Sequence, residues 1–381
     1  MFIIDILIYV FFAWVMYSLA KNSNTYYLDS AKIDKYLWWY LGFFTLVSAI
    51  RWDVGTDCNT YIKVFINKSI RPESQEFVWD EIVTLVDSIG LHFTFGMGLT
   101  AFLQIYLISR ACKEHKYLFI WIPIVLFGGR YYLDLCNGMR QMVAACGFVF
   151  ASIFIVDKKP VHFAITILFM MGFHHSSIIL APFYLLRYLP LKYINIADKR
   201  FLCLGIFLVC FLMGQTPSFQ GLIKYIEPIV SSAGYEKHAD FYAQALEGNT
   251  NEKISFGPIM LSFLFSSLAV IWYAPVLHRT YSDDNRYFNL WYFLSFIHSC
   301  GYFLVCNVSH MMIRPFQYFE LFLVLMLALL LHHFHSNMNH YKLHYYALVF
   351  IIWVCTIVGV YKASGLTREA TTYKTIFFHN I

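Results

Sequence analysis

The chain has 381 residues, of which 59% are hydrophobic and only 13% charged, with a formal net charge of +5. Those proportions exclude an ordinary soluble globular protein. Apolar runs long enough to cross a bilayer recur from end to end, and the gaps between them hold no separate soluble domain.

The expected fold is therefore an all-α polytopic membrane protein, one integral domain over 1–381, with roughly 10–12 transmembrane helices. Candidate spans are 2–20, 36–50, 93–109, 117–134, 138–156, 200–214, 256–276, 288–306, 314–333 and 343–361. The first run lacks a basic segment before it and a small-residue cleavage site after it, so it reads as a retained span. Lys21, Lys32 and Lys35 separate the first two spans, and Arg110, Lys113 and Lys116 follow the third. Lys158 and Lys159, then Arg187, Lys192, Lys199 and Arg200, then Arg279 and Arg286 mark further loops. The positive-inside rule places all of these in the cytoplasm and leaves the polar stretches 51–92 and 215–255 outside. That assignment requires 161–190 to leave and return on one side. Thirty residues are too few for two full spans. Two short helices meeting at Phe173-His174-His175-Ser176-Ser177, re-entrant or strongly tilted, satisfy the length, and the alternative is one long tilted span that would put four basic residues outside.

The nine cysteines mostly lie inside apolar runs and form no CxxC pattern, so neither a disulfide framework nor zinc is expected. The tract His332-His333-Phe334-His335, with His340 and His344, is a weak metal candidate in a cytoplasmic loop. No metal and no cofactor are expected.

The polar chemistry collects on the outer face. Arg51, Asp53, Asp57 and Tyr61 follow the second span, and Arg130 lies near the end of the fourth. Arg140 and Gln141 open the fifth, His174, His175 and Ser176 form the tip of the hairpin, and Arg314 opens the span at 314–333. Arginines at a membrane face are costly unless paired or solvated. Ion pairs with Asp53, Asp57, Asp134 or Glu320 are the plain alternative to a site. Convergent guanidinium groups suit phosphate oxygens, and a lipid-linked diphosphate would explain an all-membrane chain. A carboxylate (Asp57 or Asp53) or an imidazole (His174 or His175) could take a proton from an attacking sugar hydroxyl.

These segments resemble the EpsG-like polysaccharide polymerases, relatives of the Wzy O-antigen polymerases. Arg51 through Tyr61 is similar to their R-x-x-V-G-T-D-x-x-x-Y segment, and Gly138-Met139-Arg140-Gln141 with Ala144 and Ala145 to their Arg-Gln motif. Phe173-His174-His175-Ser176 with Pro182 resembles F-H-x-S, Arg314 to Phe319 their late Arg-to-Tyr-Phe segment, and Tyr373 to Phe378 their aromatic ending. Asp53 and His175 lie outside the family pattern, and Cys58 stands where the family often has an aromatic.

The resemblance implies a bacterial inner-membrane enzyme facing the periplasm, similar to the metal-independent C-type membrane glycosyltransferases. It would join repeat units carried on undecaprenyl diphosphate into a capsule, O-antigen or exopolysaccharide. On that expectation Arg140 and Arg314 hold the diphosphate, Arg51 places it or the acceptor, and Asp57 or His174 is the base. Gln141, Asp53, Tyr61, His175, Ser176 and Arg130 complete the expected substrate contacts. The partners are the lipid-linked glycan and the bilayer, with a chain-length regulator conceivable and no nucleic acid. A lipid-linked oligosaccharide flippase is the alternative of another class. It would line a path across the bilayer and often shows two halves, whereas here the charges sit at one face and no repeat is visible. An acyltransferase using His174 or His175 would not need three outer arginines, and a sugar-to-lipid ligase differs little from the polymerase in sequence.

Overall fold

The computed structural model describes residues 2–23, 34–67, 76–189, 194–216, 257–307, 310–363 and 372–378. Lys32, Lys192 and the polar stretch 215–255 from residue 217 onward lie outside the described residues. Among the described residues the structure is helical, with an isolated β-bridge and no strand, as an all-α polytopic membrane protein requires.

The first half runs α1 (Phe2–Asn22), α2 (Lys35–Ala49), α3 (Cys58–Asn67), α4 (Phe77–Ser88), α5 (Phe93–Ala111), α6 (Lys116–Gly128), α7 (Tyr131–Cys136), α8 (Met139–Val156) and α9 (Pro160–Phe173). A 3₁₀ helix (His175–Tyr188) follows, then α10 (Arg200–Gln215), α11 (Pro258–Tyr281), α12 (Phe288–Val305), α13 (His310–Gln317), α14 (Glu320–Ser336) and α15 (Met338–Ala363). Among the described residues five helices, α1, α8, α11, α12 and α15, are long and apolar enough to span a membrane. Four more, α6, α9, α10 and α14, are apolar but shorter, so length alone does not reach the expected count of spans.

The shortfall has local causes. The run 117–134 is broken after Gly129, where Arg130 takes a left-handed backbone (φ 66) before α7 begins. The run 314–333 divides at Tyr318-Phe319, so Arg314 sits on the separate short helix α13, which has Pro315 inside it. The hairpin at 161–190 forms as the length argument requires, with one difference: its second limb is a 3₁₀ helix. Phe163 and Tyr184, near opposite ends of this segment, stack at 5.1 Å, so the limbs run antiparallel.

Helix α14 is apolar on every face and is enclosed on every face. Leu321 to Leu331 are each 2% exposed or less, and α6, α11, α12 and α15 pack around them. A second layer runs α2, α5, α8, α9, each packed on the next. The outermost helices are apolar outward as well: Phe201 of α10 is 79% exposed and Leu343 of α15 78%. Water would penalise such a surface, whereas lipid does not. The histidine tract is packed among aromatics, His332 on Tyr117 and His335 on Trp121, each at 4.9 Å.

The described parts of the polar stretch 51–92 include α3 and α4. Its beginning is held by the far end of the chain: Trp52 donates its N–H to Lys374 O and Ile376 to Ile50 O. The Tyr373 hydroxyl bonds Val47 O, and Lys374 pairs with Asp53 at 3.2 Å. Gly55 then turns the chain into α3 with φ +87, and a Cβ there would stand 2.4 Å from Asn137 Oδ1. Replacing it, Gly55→Ala, combines a left-handed backbone with a clash and is expected to cost at least about 1–2 kcal/mol. A detergent-solubilised thermal melt checks this; an unchanged midpoint would contradict the turn geometry.

Candidate functional site

Four elements place the polar residues in one spot. Helix α9 ends at Phe173, and His174 follows in extended conformation (φ −151, ψ 106), with its N–H returned to Met170 O. This break aims the imidazole sideways instead of along the helix. Gly172 lets the start of α4 come close: a Cβ on it would meet Val78 Cγ2 at 2.4 Å. That approach sets Glu76, the residue before α4, beside His174. The His174 Nδ1 and Glu76 Oε1 are 2.9 Å apart, and the other carboxylate oxygen pairs with the Arg140 guanidinium at the start of α8.

Glu76 is the functional residue that sequence reasoning missed. It belongs to no motif and lies in a polar stretch between two helices. Two signals point to it: it directly precedes an amphipathic helix (Trp79, Ile82, Val83 and Val86 are buried), and converging arginines need a counter-charge. Burial alone would raise its carboxyl. The His174 hydrogen bond, the Arg140 and His174 charges and the His175 backbone N–H outweigh burial and hold it below its ordinary value.

Around this pair lies a cavity of about 190 Å³, lined by Asp57, Thr60, Tyr61, Val64, Trp79, Asp80, Gly138, Arg140, Gln141, His174 and Arg314. Six of the residues expected from sequence therefore meet: Asp57, Tyr61, Arg140, Gln141, His174 and Arg314. The Arg140 guanidinium also sits over Trp79, 5.7 Å from the ring centroid, and Trp79 meets Tyr61 edge-on at 5.6 Å. Burial pushes the Tyr61 phenol up, while Arg140 beside it pulls the other way. Gln141 donates its amide to Arg314 O at 2.6 Å, and His298 bonds Phe316 O at 3.0 Å, which fixes α13 over the start of α8. Among the described residues no ion pair engages Arg314, whereas Arg140 shares its charge with Glu76.

The remaining expected residues are elsewhere. Arg51 is 1% exposed and does not line the cavity. Its guanidinium bonds Ser48 O and contacts Met139 Sδ, because the docked C-terminal segment covers the outward route. It ties the end of α2 to the start of α8. Asp53 binds Asn59 and Lys374, and Arg130 lies at the α6–α7 break, where its charge acts on Asp134. Ser176 bonds the Tyr318 hydroxyl at 2.8 Å, and His175 offers its backbone N–H to Glu76. Glu320 does not pair with Arg314; its carboxyl is hydrogen-bonded to that of Asp134.

The chain is a helical membrane protein with a small polar cavity walled by two arginines, a histidine, two carboxylates and two aromatics. The sequence profile of the EpsG family matches residues 35–375, and the chain belongs to that family. Neither a curated protein nor a solved structure gives a significant match.

The lowered Glu76 carboxyl makes a testable contribution to stability. Because it titrates lower folded than unfolded, that contribution is complete above the ordinary glutamate value of 4.5 and is lost as pH falls through the lowered folded value. Wild type is expected to exceed Glu76→Gln in detergent stability most at neutral pH, with the gap closing in acid. A gap that stays constant down to about pH 3 would contradict the ion-paired carboxylate.

Proposed function

We propose that this EpsG-family protein is a polysaccharide polymerase acting on glycan repeat units carried on undecaprenyl diphosphate. It works at the outer face of a bacterial inner membrane. The observation that carries this is the meeting of Arg140 and Arg314 with His174 and Asp57 in one cavity, although Arg140 and Arg314 are far apart in the chain. Family membership supports the polysaccharide-polymerase type of role.

In the reaction, a hydroxyl oxygen of the incoming unit attacks the anomeric carbon of the growing chain. The bond from that carbon to the lipid diphosphate breaks and its electron pair leaves with the diphosphate. The hydroxyl proton passes to a base, and Asp57 and His174 are the two acceptors suited to that role. Charge builds on the leaving diphosphate in the transition state, so a fixed guanidinium beside it lowers the barrier. Arg314 carries most of that work, since Glu76 already balances Arg140. The start of α8, at Gly138, Arg140 and Gln141, adds the partial positive charge of a helix N-terminus to the same wall. Trp79 and Tyr61 give a sugar ring an aromatic surface.

The test is in cells. The gene is deleted and complemented with wild type or Arg314→Lys, and the surface glycan is resolved by length. The deletion is expected to leave a single repeat unit and wild type to restore a ladder. Arg314→Lys should lower polymer output roughly 100-fold, because a point charge does not reproduce the guanidinium fork. Units trapped on the cytoplasmic side of the deletion strain would instead mean a transporter. A full-length ladder lacking only an acyl group would mean an acyltransferase.

A further inference from the structure

Two groups in the cavity can accept a proton, and their surroundings differ. Asp57 precedes α3, and among the described residues no side chain pairs with its carboxylate to fix its direction, whereas His174 is fixed on both sides. Its backbone is set by the end of α9, and its Nδ1 is held 2.9 Å from the buried Glu76 Oε1. Glu76 receives three donors: the His174 ring, the His175 backbone N–H and the Arg140 guanidinium. An ionised carboxylate only accepts hydrogen bonds, so Nδ1 must carry the proton of the neutral imidazole. That leaves Nε2 as the basic nitrogen.

We infer that Glu76 is the positioning residue that makes His174 the proton acceptor of the transfer step. This rests on the polymerase function proposed above. Glu76 acts in three ways at once. It selects the tautomer with Nε2 free, it holds the ring plane, and its negative charge favours the imidazolium formed when the acceptor hydroxyl gives up its proton. The proton then leaves Nε2 to water, and Glu76 stays ionised throughout. Through its second oxygen the same carboxylate holds Arg140, so base and guanidinium keep a constant separation. Asp57 is left to bind the acceptor sugar.

The other charged groups facing His174 come from every neighbouring element: Arg140 of α8, Arg314 of α13, Asp57 before α3 and Asp80 of α4. The Tyr318 ring, just before α14, lies 6.5 Å from the imidazole, and Tyr61 of α3 lines the same cavity. Glu76 is the one in direct contact, so its removal dominates the change.

The experiment uses membrane vesicles carrying the full chain and lipid-linked repeat units extracted from the deletion strain. Initial polymerisation rates are measured against pH for wild type, Glu76→Gln, Glu76→Asp, His174→Gln and the double variant Glu76→Gln/His174→Gln. Wild type is expected to lose activity on the acid side. Glu76→Gln should fall about 10–100-fold, with its acid limb moved to lower pH because the imidazole has lost its anionic neighbour. The double variant should be slower than His174→Gln alone, because Arg140 also loses its partner, but by less than the product of the two single losses. Glu76→Asp keeps the charge, and is expected to retain the wild-type acid limb at reduced rate; it remains informative if the glutamine variant folds poorly. An unmoved acid limb, or a double variant slowed by the product of the two single losses, would overturn the assignment while leaving the polymerase function intact. Wild-type vesicles that never lengthen the extracted units would defeat both.

Discussion

Hydrocarbon cannot solvate a charge, and a folded chain in a bilayer must supply every partner that water would have offered. The Glu76 carboxylate does this for two cationic or potentially cationic groups at once. It lies between helices that are distant in sequence, and it joins α9, α8 and the segment before α4 at a single point. Removing one partner would strand the others in a half-buried place, which is more costly than the pair is worth when intact. The cavity therefore behaves as a unit. Arg140 has its position because Glu76 holds it, Trp79 underlies it, and Tyr61 closes its other side.

The same constraint separates the arginines by role. Arg51 turns its guanidinium into the protein, with one Nη on a carbonyl and the other on a sulfur while Nε finds no partner among the described residues, and so serves as a strut. Arg140 is balanced by a carboxylate. Arg314 lies on a short helix pinned by Gln141 and His298 through its backbone, which leaves the side chain's charge for a ligand. Three arginines of one sequence pattern thus divide into anchor, scaffold and binder according to what surrounds each.

Much of this was legible in the chain. The helices follow the apolar runs closely, because a run that must avoid water and satisfy its backbone has few alternatives to a helix. The convergence of Asp57, Tyr61, Arg140, Gln141, His174 and Arg314 followed from placing basic loops on one side and motifs on the other. Glu76 was not legible, since a lone carboxylate in a polar stretch looks like a solvated one until the fold brings α9 against it. The inward turn of Arg51 was hidden for a related reason: what blocks its outward route is Tyr373 to Ile376, and no local pattern announces a pairing at that distance. The breaks at Arg130 and Phe319 were also missed, since both interrupt apolar sequence without a glycine or proline at the breaking residue itself.

The pairing of the segment around Lys374 with the segment after α2 also orders events in time. Val47 and Tyr373 are 326 positions apart, so the first motif to leave the ribosome is braced by residues that emerge much later. Helices inserted early must wait beside an unfinished partner, and Arg51 stays without its cover until synthesis has passed Ile376. The stretch between α2 and α3 thus gains its last hydrogen bonds and its ion pair only when synthesis is nearly over.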